Sequence, residues 1–473
     1  MTRGESHRRA GVALLTLTWA LAGCGEKIVY RDEPNFESPP AAAAGFLGLS
    51  DEQANRTTCG NCHVGKQGTW QHTAHAGAWA TLKNNSAAQP NCEPCHSVSS
   101  LGNVVTETQV GWVSTKSARY QNVQCESCHG PGLTHVTNPD VPTTKPLAPL
   151  AVAPTLTRGC GECHSGSHRP FAEEWSKSRH ARVQVSRATN PNCVGCHEAK
   201  GVLQAWGIRS TFLEASGETD HMAITCAVCH DPHDARNPGQ LRFPLDVPAL
   251  ESNLCMKCHY RRAQPEVASS SGPHSPQGPV LLGEAGWFPP NFQFPTQALV
   301  GTHGSDRNPR LCATCHVNNY VVTDAATGAF TFRATGHSFQ PIPCVDANKI
   351  PTGETTCDIT QRSFRSCTAG CHGSEDAARS ALSVARLRIS RLADQVDSLI
   401  AKVPSTEFST TDNRISTAEG SRFNMRLARE AGAAAHNPFL IEALLLESIR
   451  QLGIDYGVTP LIRVSMTPEL APR

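Results

Sequence analysis

The chain has 473 residues, enough for two to four ordinary domains, and its formal charge of +1 gives no basic field that would attract nucleic acid. Hydrophobic residues make up 39% of the chain and aromatic residues 6%, whereas cysteine and histidine reach 21 each. This composition excludes a collagenous, coiled-coil-only or membrane-spanning protein. It leaves a disulfide scaffold, a zinc array or a haem array, and the cysteine spacing must distinguish them.

Residues 1–23 predict a secretory signal peptide, because three arginines precede an apolar stretch that is too short to span a bilayer. Residues 21–24 (LAGC) resemble the bacterial lipobox, in which the cysteine is acylated and becomes the new N-terminus. The alternative is an ordinary signal peptide followed by an unrelated cysteine. The lipobox interpretation predicts export and anchoring to the outer membrane through Cys24, on its periplasmic or surface-facing side. Residues 24–50 then form a Pro- and Ala-rich tether.

Eight C-x-x-C-H motifs follow, and this pattern is typical of covalent c-type haem attachment. The two thiols add to the haem vinyl groups, and the adjacent histidine becomes the proximal ligand of the iron. A zinc site needs four ligands and has no need of a histidine after every cysteine pair. We number the motifs 1 to 8 in chain order: Cys59/Cys62/His63, Cys92/Cys95/His96, Cys125/Cys128/His129, Cys160/Cys163/His164, Cys193/Cys196/His197, Cys226/Cys229/His230, Cys255/Cys258/His259 and Cys312/Cys315/His316.

A ninth motif is formed by Cys367, Cys371 and His372, with three residues between the cysteines instead of two. The alternative is a disulfide-linked pair, since Cys344 and Cys357 lie just upstream and the compartment is oxidising. We favour a haem at motif 9 and a disulfide between Cys344 and Cys357. The cofactor expectation is therefore nine covalent c-type haems, or eight if motif 9 binds none.

The first six motifs form an internal duplication. Motifs 1 to 3 recur as motifs 4 to 6, and each first cysteine reappears 101 residues later, as Cys59 and Cys160 illustrate. A repeat of this kind indicates stacked units that do not stand alone. We expect trihaem repeats over residues 51–154 and 155–245 and a C-terminal haem region over 246–373, built from loops and short helices. The predicted fold is mainly α with extensive loops, packed around a chain of haems and lacking a sizeable sheet.

The C-terminal region carries longer helical patterns. Ser374 caps a helix in which apolar residues recur every three or four positions until Pro404 ends it. Further helical stretches are expected from about Ser421 to Ala435 and from Asn437–Pro438 to just before Gly453. Together these patterns predict a helical hairpin over residues 374–453 and a tail over 454–473. The outer faces of the helices are a candidate homodimer contact.

The chain resembles the tetrahaem cytochrome that accepts electrons from hydroxylamine oxidoreductase, through CEPCH at motif 2 and CESCHGPG followed by His135 at motif 3. It is more distantly similar to octahaem and pentahaem nitrogen-cycle cytochromes. The resemblance implies eight distal haem ligands: His75, His135, His180, His233, His274, His303, His337 and His436. A ninth remains to be found among His221, His168 and His72, and we favour His221, which lies five residues before Cys226. Because the mature chain is poor in methionine, bis-histidine ligation is expected throughout.

These observations favour an electron-transfer cytochrome with closely spaced, low-potential haems. The expected partners are donor and acceptor redox proteins or a porin-type conduit, and no nucleic acid. The alternative is a multihaem reductase or oxidase of a small nitrogen or sulfur oxyanion with one open-coordinate iron. A haem-stapled structural or docking lipoprotein is a third interpretation. No C-x-x-C-K motif occurs, and none of the five tyrosines is placed to indicate a haem cross-link, so the resemblance assigns no catalytic residue.

Overall fold

The computed structural model describes residues 45–149, 159–166, 169–208, 221–290, 292, 300–368, 370–460 and 465–470. All of them belong to one compact unit that begins at Pro39. The predicted signal peptide, Cys24, most of the tether and His168 lie outside the described residues. Short helices joined by loops dominate the described ranges, which confirms the expected mainly α fold.

Most helices are one or two turns long, and the long ones are confined to the C-terminal region. The α-helices are α1 Val64–Trp70, α2 Ala78–Lys83, α3 Trp112–Thr115, α4 Cys125–His129, α5 Leu133–Thr137, α6 Cys160–Cys163, α7 Phe171–Lys177, α8 Val185–Ala188, α9 Val194–His197, α10 Ala199–Ala205, α11 Cys226–Cys229, α12 Gln277–Leu282, α13 Cys312–His316, α14 Arg365–Thr368, α15 Glu375–Ile400, α16 Thr417–Ala428, α17 Ala433–His436 and α18 Pro438–Tyr456. Single 3₁₀ segments are Cys59–Asn61, His75–Gly77, Pro90–His96, Ala118–Tyr120, Pro142–Thr144, Pro238–Gln240, Thr302–Gly304, Ile359–Gln361 and Ser405–Phe408.

Strands are few in the described ranges. β1 (Leu49–Asp51) pairs antiparallel with β2 (Arg56–Thr57), and β3 (Tyr320–Thr323) pairs antiparallel with β4 (Phe330–Ala334). In the second hairpin Tyr320 is opposite Ala334. Two short hairpins agree with the expectation that no sizeable sheet forms.

The first repeat has a small apolar core of its own. Phe46, Trp79, Val98, Trp112 and Tyr120 are all buried and in one cluster. The segment that leads into β1 is held there by a buried carboxylate: Glu126 accepts hydrogen bonds from the backbone N–H groups of residues 47, 48 and 132 at 2.7–3.0 Å. Burial raises the pKa of Glu126 to about 7, although these backbone donors act in the opposite direction.

The largest apolar core lies among the C-terminal helices. α15, α16 and α18 pack against one another, with Leu392, Val396, Leu427 and Leu445 among their fully buried side chains. The expected C-terminal helices are therefore present, and the short central helix α16 packs against both long ones.

The helix ends in this region follow local capping. The Ser374 hydroxyl accepts from Ala377 N, as predicted, and the Asn437 side chain caps α18 by accepting from Leu440 N. Three predicted boundaries are wrong, since α16 also ends at Ala428 instead of Ala435. α16 begins at Thr417 because Ser416 and Glu419 form a capping box, and α18 continues through Gly453 to Tyr456 because the residue that ends it is Gly457, in the left-handed conformation.

One ion pair is buried within this core. Arg388 Nε of α15 donates to Glu442 Oε1 of α18 at 2.9 Å, and the two side chains are 9% and 1% exposed. The same Glu442 carboxylate accepts hydrogen bonds from the backbone N–H groups of Glu469 and Leu470, which holds these two residues against α18.

None of the helices in the described ranges is both long enough and apolar enough to cross a membrane.

Candidate haem centres

Several attachment motifs coincide with a single helical turn. α4, α6, α11 and α13 contain the cysteines of motifs 3, 4, 6 and 8. Residues three apart on a helix share a face, so both thiols of such a motif point to the same side. The motif histidine follows immediately at the end of that turn. This local geometry is what two thioether bonds to one planar cofactor need.

Cys62, the second predicted attachment residue of motif 1, departs from this arrangement. The 3₁₀ segment Cys59–Asn61 ends just before it, and Cys62 is exposed, whereas Cys59 is half-buried and hydrogen-bonds a thiol of motif 3. The protein chain does not enclose the Cys62 thiol because the residues that follow, from His63 to Lys66, are themselves exposed and pack nothing over it. Cys160 and Cys371 are exposed in the same way, and cover for these sulfurs would have to come from the haem itself. Their thioether bonds stay a prediction.

Eight motif histidines have a second histidine ring opposite them. In every pair one ring comes from an attachment motif and the other from outside it, and the ring centroids are 6.1–6.4 Å apart. In motif order, the pairs are His63–His135, His129–His233, His164–His75, His197–His274, His230–His337, His259–His180, His316–His436 and His372–His303.

This separation fits one iron between two imidazoles. An imidazole nitrogen binds a transition-metal ion at about 2 Å, so two rings on opposite sides of one iron have centroids about 6 Å apart. The eight partners are the same eight histidines that the resemblance names as distal ligands. The structure therefore brings these residues together as bis-histidine ligation requires, while ligation itself stays a prediction.

Hydrogen bonds orient several of the motif rings. His129, His230 and His316 donate from Nδ1 to the backbone carbonyls of residues 146, 239 and 339 at 2.7–3.0 Å. A proton on Nδ1 leaves Nε2 with a free lone pair, which is the usual arrangement for a metal-binding histidine. The rings are thus fixed in the tautomer that binds iron through Nε2.

Burial keeps many of these rings neutral. Loss of solvent lowers the pKa of His164, His180 and His337 to about 4 and that of His436 to about 3, with neighbouring positive groups adding to the effect. A neutral imidazole is the form that coordinates a metal.

The described ranges contain no cluster of three or more His, Cys, Asp or Glu side chains that could bind one metal ion by themselves.

Motif 2 is the exception. His96 donates from Nδ1 to Ala78 O at 2.8 Å, as a proximal ligand would. Among the residues that the structure describes, however, no second histidine ring opposes it.

The favoured ninth ligand, His221, is not opposite any motif histidine in the structure. It directly precedes Met222, whose N–H donates to the buried Glu198, and the nearby motif 5 already has His274 as its partner. His72 is exposed, and His168 lies outside the described residues.

Motif 9 has an opposed histidine pair like that of the regular motifs. His372 faces His303 at 6.3 Å, and His303 is held by a hydrogen bond from its Nδ1 to Ala435 O at 2.6 Å. Cys344 and Cys357 form a disulfide, as expected, which leaves the Cys367 and Cys371 thiols free. A haem at this wider motif is therefore compatible with the structure.

Cysteines of different motifs come into contact. Thiols of motifs 1 and 3, 2 and 4, 4 and 6, 5 and 7, and 7 and 8 lie near one another and interact electrostatically. At longer range, thiols interact electrostatically between motifs 3 and 4, 6 and 7, and 8 and 9. The thiol interactions between motifs 1 and 3, 2 and 4, and 3 and 4 recur, three motifs later, between motifs 4 and 6, 5 and 7, and 6 and 7. The sequence duplication is therefore repeated in the spatial arrangement of the motifs.

Sequence reasoning missed the residues that position the distal ligands. Glu174, on α7 and 6% exposed, accepts from Thr335 N, Thr335 Oγ1 and His337 N, each at 2.8 Å. It therefore fixes the backbone that presents His337 to His230. No local pattern marks this glutamate, because its partners lie more than 160 residues along the chain.

Comparison with known proteins gives two family matches. Residues 58–130, which contain motifs 1 to 3, match the family of cytochrome c554 and c-prime. Residues 221–264, which contain motifs 6 and 7, match the doubled CXXCH motif family. No curated protein matches the chain, and no solved structure matches it either. Together with the attachment motifs, these matches identify the chain as a multihaem c-type cytochrome that takes part in electron transfer.

Proposed function

We propose that this protein is a nonahaem electron-transfer cytochrome in which the attachment sites follow one another closely enough to conduct electrons along the chain. The observation that carries the proposal is the set of eight opposed histidine pairs. Bound haem supplies an iron that alternates between ferric and ferrous states, and two imidazole ligands leave such an iron no vacant position for a substrate.

The sulfur contacts support an order for the sites. Because each motif sulfur is bound to the edge of its haem in the mature protein, contacting sulfurs imply adjoining sites. Neighbouring haem sites then follow one another in the order 1–3–4–6–7–8–9, in which the links 3–4, 6–7 and 8–9 are the longer-range sulfur interactions. Site 2 lies beside site 4, and site 5 lies beside site 7. Sites 2 and 5 are then branches, and they occupy equivalent positions in the two repeats.

An anaerobic redox titration combined with stopped-flow reduction tests this function. We expect one donor protein to reduce all the irons and a soluble acceptor to reoxidise them. The rate of every kinetic phase of the reduction should depend on the donor concentration in the same way. A protein whose irons exchange no electrons with soluble carriers would instead be the haem-stapled docking protein.

We further propose that the protein is an exported lipoprotein, anchored to the outer membrane by acylated Cys24 and facing the periplasm or the cell surface. Its partners are donor and acceptor redox proteins or a porin-type conduit. Replacing Cys24 by Ser would release the mature protein from the membrane fraction. Persistence of the variant in that fraction would refute the anchor.

The proposed homodimer contact has one supporting feature. Val384 and Leu387 on α15 are 60% and 54% exposed, which is unusual for large apolar residues on a helix whose other face is buried. A dimer through this face would give twice the monomer mass by light scattering. Substitution of both residues by Glu would then restore the monomer mass.

A second function is favoured by motif 2. No histidine ring opposes His96 in the described ranges, and the remaining candidate, His168, lies outside them; without that ligand, an iron at motif 2 would have one position available for a small ligand. The protein would then reduce or oxidise a small nitrogen or sulfur oxyanion at site 2, with site 4 as its electron relay. Turnover of nitrite, hydroxylamine or sulfite at this site would decide for the enzyme, and absence of turnover would leave electron transfer alone.

A further inference from the structure

A carboxylate faces one of the histidines that we expect as distal ligands. Asp231 Oδ1 lies 3.4 Å from Nδ1 of His233, the ring that opposes His129 of motif 3 at a centroid distance of 6.2 Å. The same oxygen accepts a hydrogen bond from His233 N at 3.0 Å, so the turn that presents the ring also holds the carboxylate against it. A proton on Nδ1 directed at the carboxylate leaves Nε2 available to an iron at site 3.

Arg242 keeps this carboxylate ionised and in place. Its Nη1 donates to Asp231 Oδ2 at 3.0 Å, and the side chains of Arg242 and Asp231 are 10% and 20% exposed. Arg242 is itself fixed, because its Nε donates to Ala227 O at 2.9 Å. The aspartate is therefore held from two sides, with one oxygen at a guanidinium group and the other at an imidazole.

The other distal histidines of the described ranges have no charged partner of this kind. Nδ1 of His303 and Nδ1 of His337 face neutral oxygen atoms, a backbone carbonyl at 2.6 Å and a threonine hydroxyl at 3.1 Å. Among the ion pairs between described residues, the contact of His233 with Asp231 is the one that involves a distal histidine. Site 3 is thus set apart by a negative charge beside its distal ligand.

The first repeat provides an internal comparison, because it lacks this carboxylate. Gly130 and Asp231 occupy equivalent positions 101 residues apart, each directly after the histidine of its motif. The distal histidine that follows Gly130 is His135, whose buried Nδ1 has no hydrogen-bond partner among the described residues. Presentation of a distal histidine at this point of the repeat therefore does not require an acidic residue, and Asp231 has a different use.

We propose that Asp231 lowers the reduction potential of the haem of site 3 by acting on its distal ligand. This inference rests on the proposed electron-transfer function and on ligation by His233. A carboxylate that accepts the Nδ1 proton makes the imidazole a stronger electron donor, which stabilises ferric iron over ferrous iron. Because site 3 lies between sites 1 and 4, its potential determines how readily electrons pass from site 1 to the rest of the chain of sites.

The test is a spectroelectrochemical redox titration of the wild-type holoprotein and of Asp231→Asn. The amide oxygen of the variant can still accept from His233 N, so the turn is kept while the charge is lost. At a fixed potential we expect the ratio of reduced to oxidised iron at site 3 to rise roughly tenfold, which corresponds to a midpoint shift of about 59 mV. Asp231→Glu retains the charge and should keep a potential close to that of the wild type.

Two further variants identify the haem and control for net charge. His233→Met replaces the ligand of one iron and should raise its potential, which marks the component that belongs to site 3. Asp234→Asn removes the same charge three residues away, from a carboxylate that pairs with the exposed Arg236 instead of a histidine. We expect a change of less than about twofold for this control. Electron paramagnetic resonance should show that Asp231→Asn stays low-spin, with one altered low-spin signal.

Four results would overturn the proposal. Equal shifts in Asp231→Asn and Asp234→Asn would show that net charge alone matters, and an unchanged potential in Asp231→Asn would show that the ligand does not respond to the carboxylate. A shift confined to a component that His233→Met leaves in place would assign the effect to another haem, such as that of the adjacent His230. Loss of a haem in Asp231→Asn would give the carboxylate a role in assembly instead. If His233→Met moves no component, the proposed ligation of site 3 is what fails.

Discussion

Glu174 offers the most direct test of how the protein presents a distal ligand. Replacing Glu174 by Ala leaves Thr335 N, Thr335 Oγ1 and His337 N without their acceptor in a buried position. Each unsatisfied buried donor costs about 1–3 kcal/mol, so three of them cost at least about 3 kcal/mol. Since every 1.4 kcal/mol is about a tenfold change, the population with His337 displaced from His230 should rise roughly a hundredfold.

The spin state of the iron reports this displacement. We expect Glu174→Ala to give one high-spin ferric signal by electron paramagnetic resonance and to bind carbon monoxide at one additional haem. Glu174→Gln keeps the acceptor oxygen but loses the charge, so its effect should be intermediate. Glu173→Ala is the matched control, because Glu173 is adjacent on α7 and accepts from Gly166 N on the exposed side.

A low-spin Glu174→Ala variant with wild-type carbon monoxide binding would refute this reasoning. It would mean that the bond between His337 and iron holds the loop without help from the carboxylate. Loss of the haem of motif 6 in all three variants would also contradict it, because the control leaves the contacts to Thr335 and His337 intact.

The remaining predictions concern haem number, open coordination and the C-terminal core. Intact mass after acid precipitation should show nine haems and one disulfide, whereas a mass for eight would remove motif 9 from the set of sites. Carbon monoxide binding to the wild-type protein decides between the two functions: uniform low-spin spectra without binding would place a ligand such as His168 opposite His96, whereas one bound carbon monoxide that is lost or spectrally shifted in His96→Met would mark motif 2 as open. Arg388→Ala should lower the free energy of unfolding by about 3–5 kcal/mol in chemical denaturation, since it leaves Glu442 buried without its charge partner. A loss below about 1 kcal/mol, comparable to that of exposed Arg386→Ala, would contradict this.

The attachment sites were predictable because their chemistry imposes a strict local spacing. Two thioether bonds and one proximal ligand must come from five consecutive residues, so the motif can be recognised from the sequence without knowledge of the tertiary structure. The same spacing carries no information about burial, and so it did not indicate that Cys62 is exposed.

The C-terminal helices were predictable for a similar reason, since caps such as Ser374 and Asn437 act within three residues. The errors at Thr417 and Tyr456 arose where a local cap lay a few residues beyond the end of the apolar pattern.

The distal ligands, in contrast, could not be predicted from local sequence spacing. Their side chains meet partners far away in sequence, as His436 does with His316, and only resemblance to a family pointed to them. The choice of His221 rested on counting, which assumed that every iron has a second histidine. The structure opposes His221 to no motif histidine, and counting could not distinguish it from His168, which lies outside the described residues.

Motifs 2 and 5 show how two copies of a duplicated unit come to differ in their surroundings. They occupy the same place in the two repeats, and each touches the first motif of the following unit through a sulfur contact. Around motif 2 the shared segment, residues 72–82, is buried with Trp79 and Leu82, and His96 lacks an opposing ring in the described ranges. Around motif 5 the equivalent segment, residues 177–187, is exposed and basic, and His197 has its partner in His274. At motif 5 a complete histidine pair lies beside an exposed basic segment, which suits exchange of electrons with a protein. At motif 2 the deciding question is whether His168, which lies outside the described residues, completes the pair. A complete pair would make both branches electron-transfer sites, whereas an incomplete one in an apolar setting would suit a small ligand.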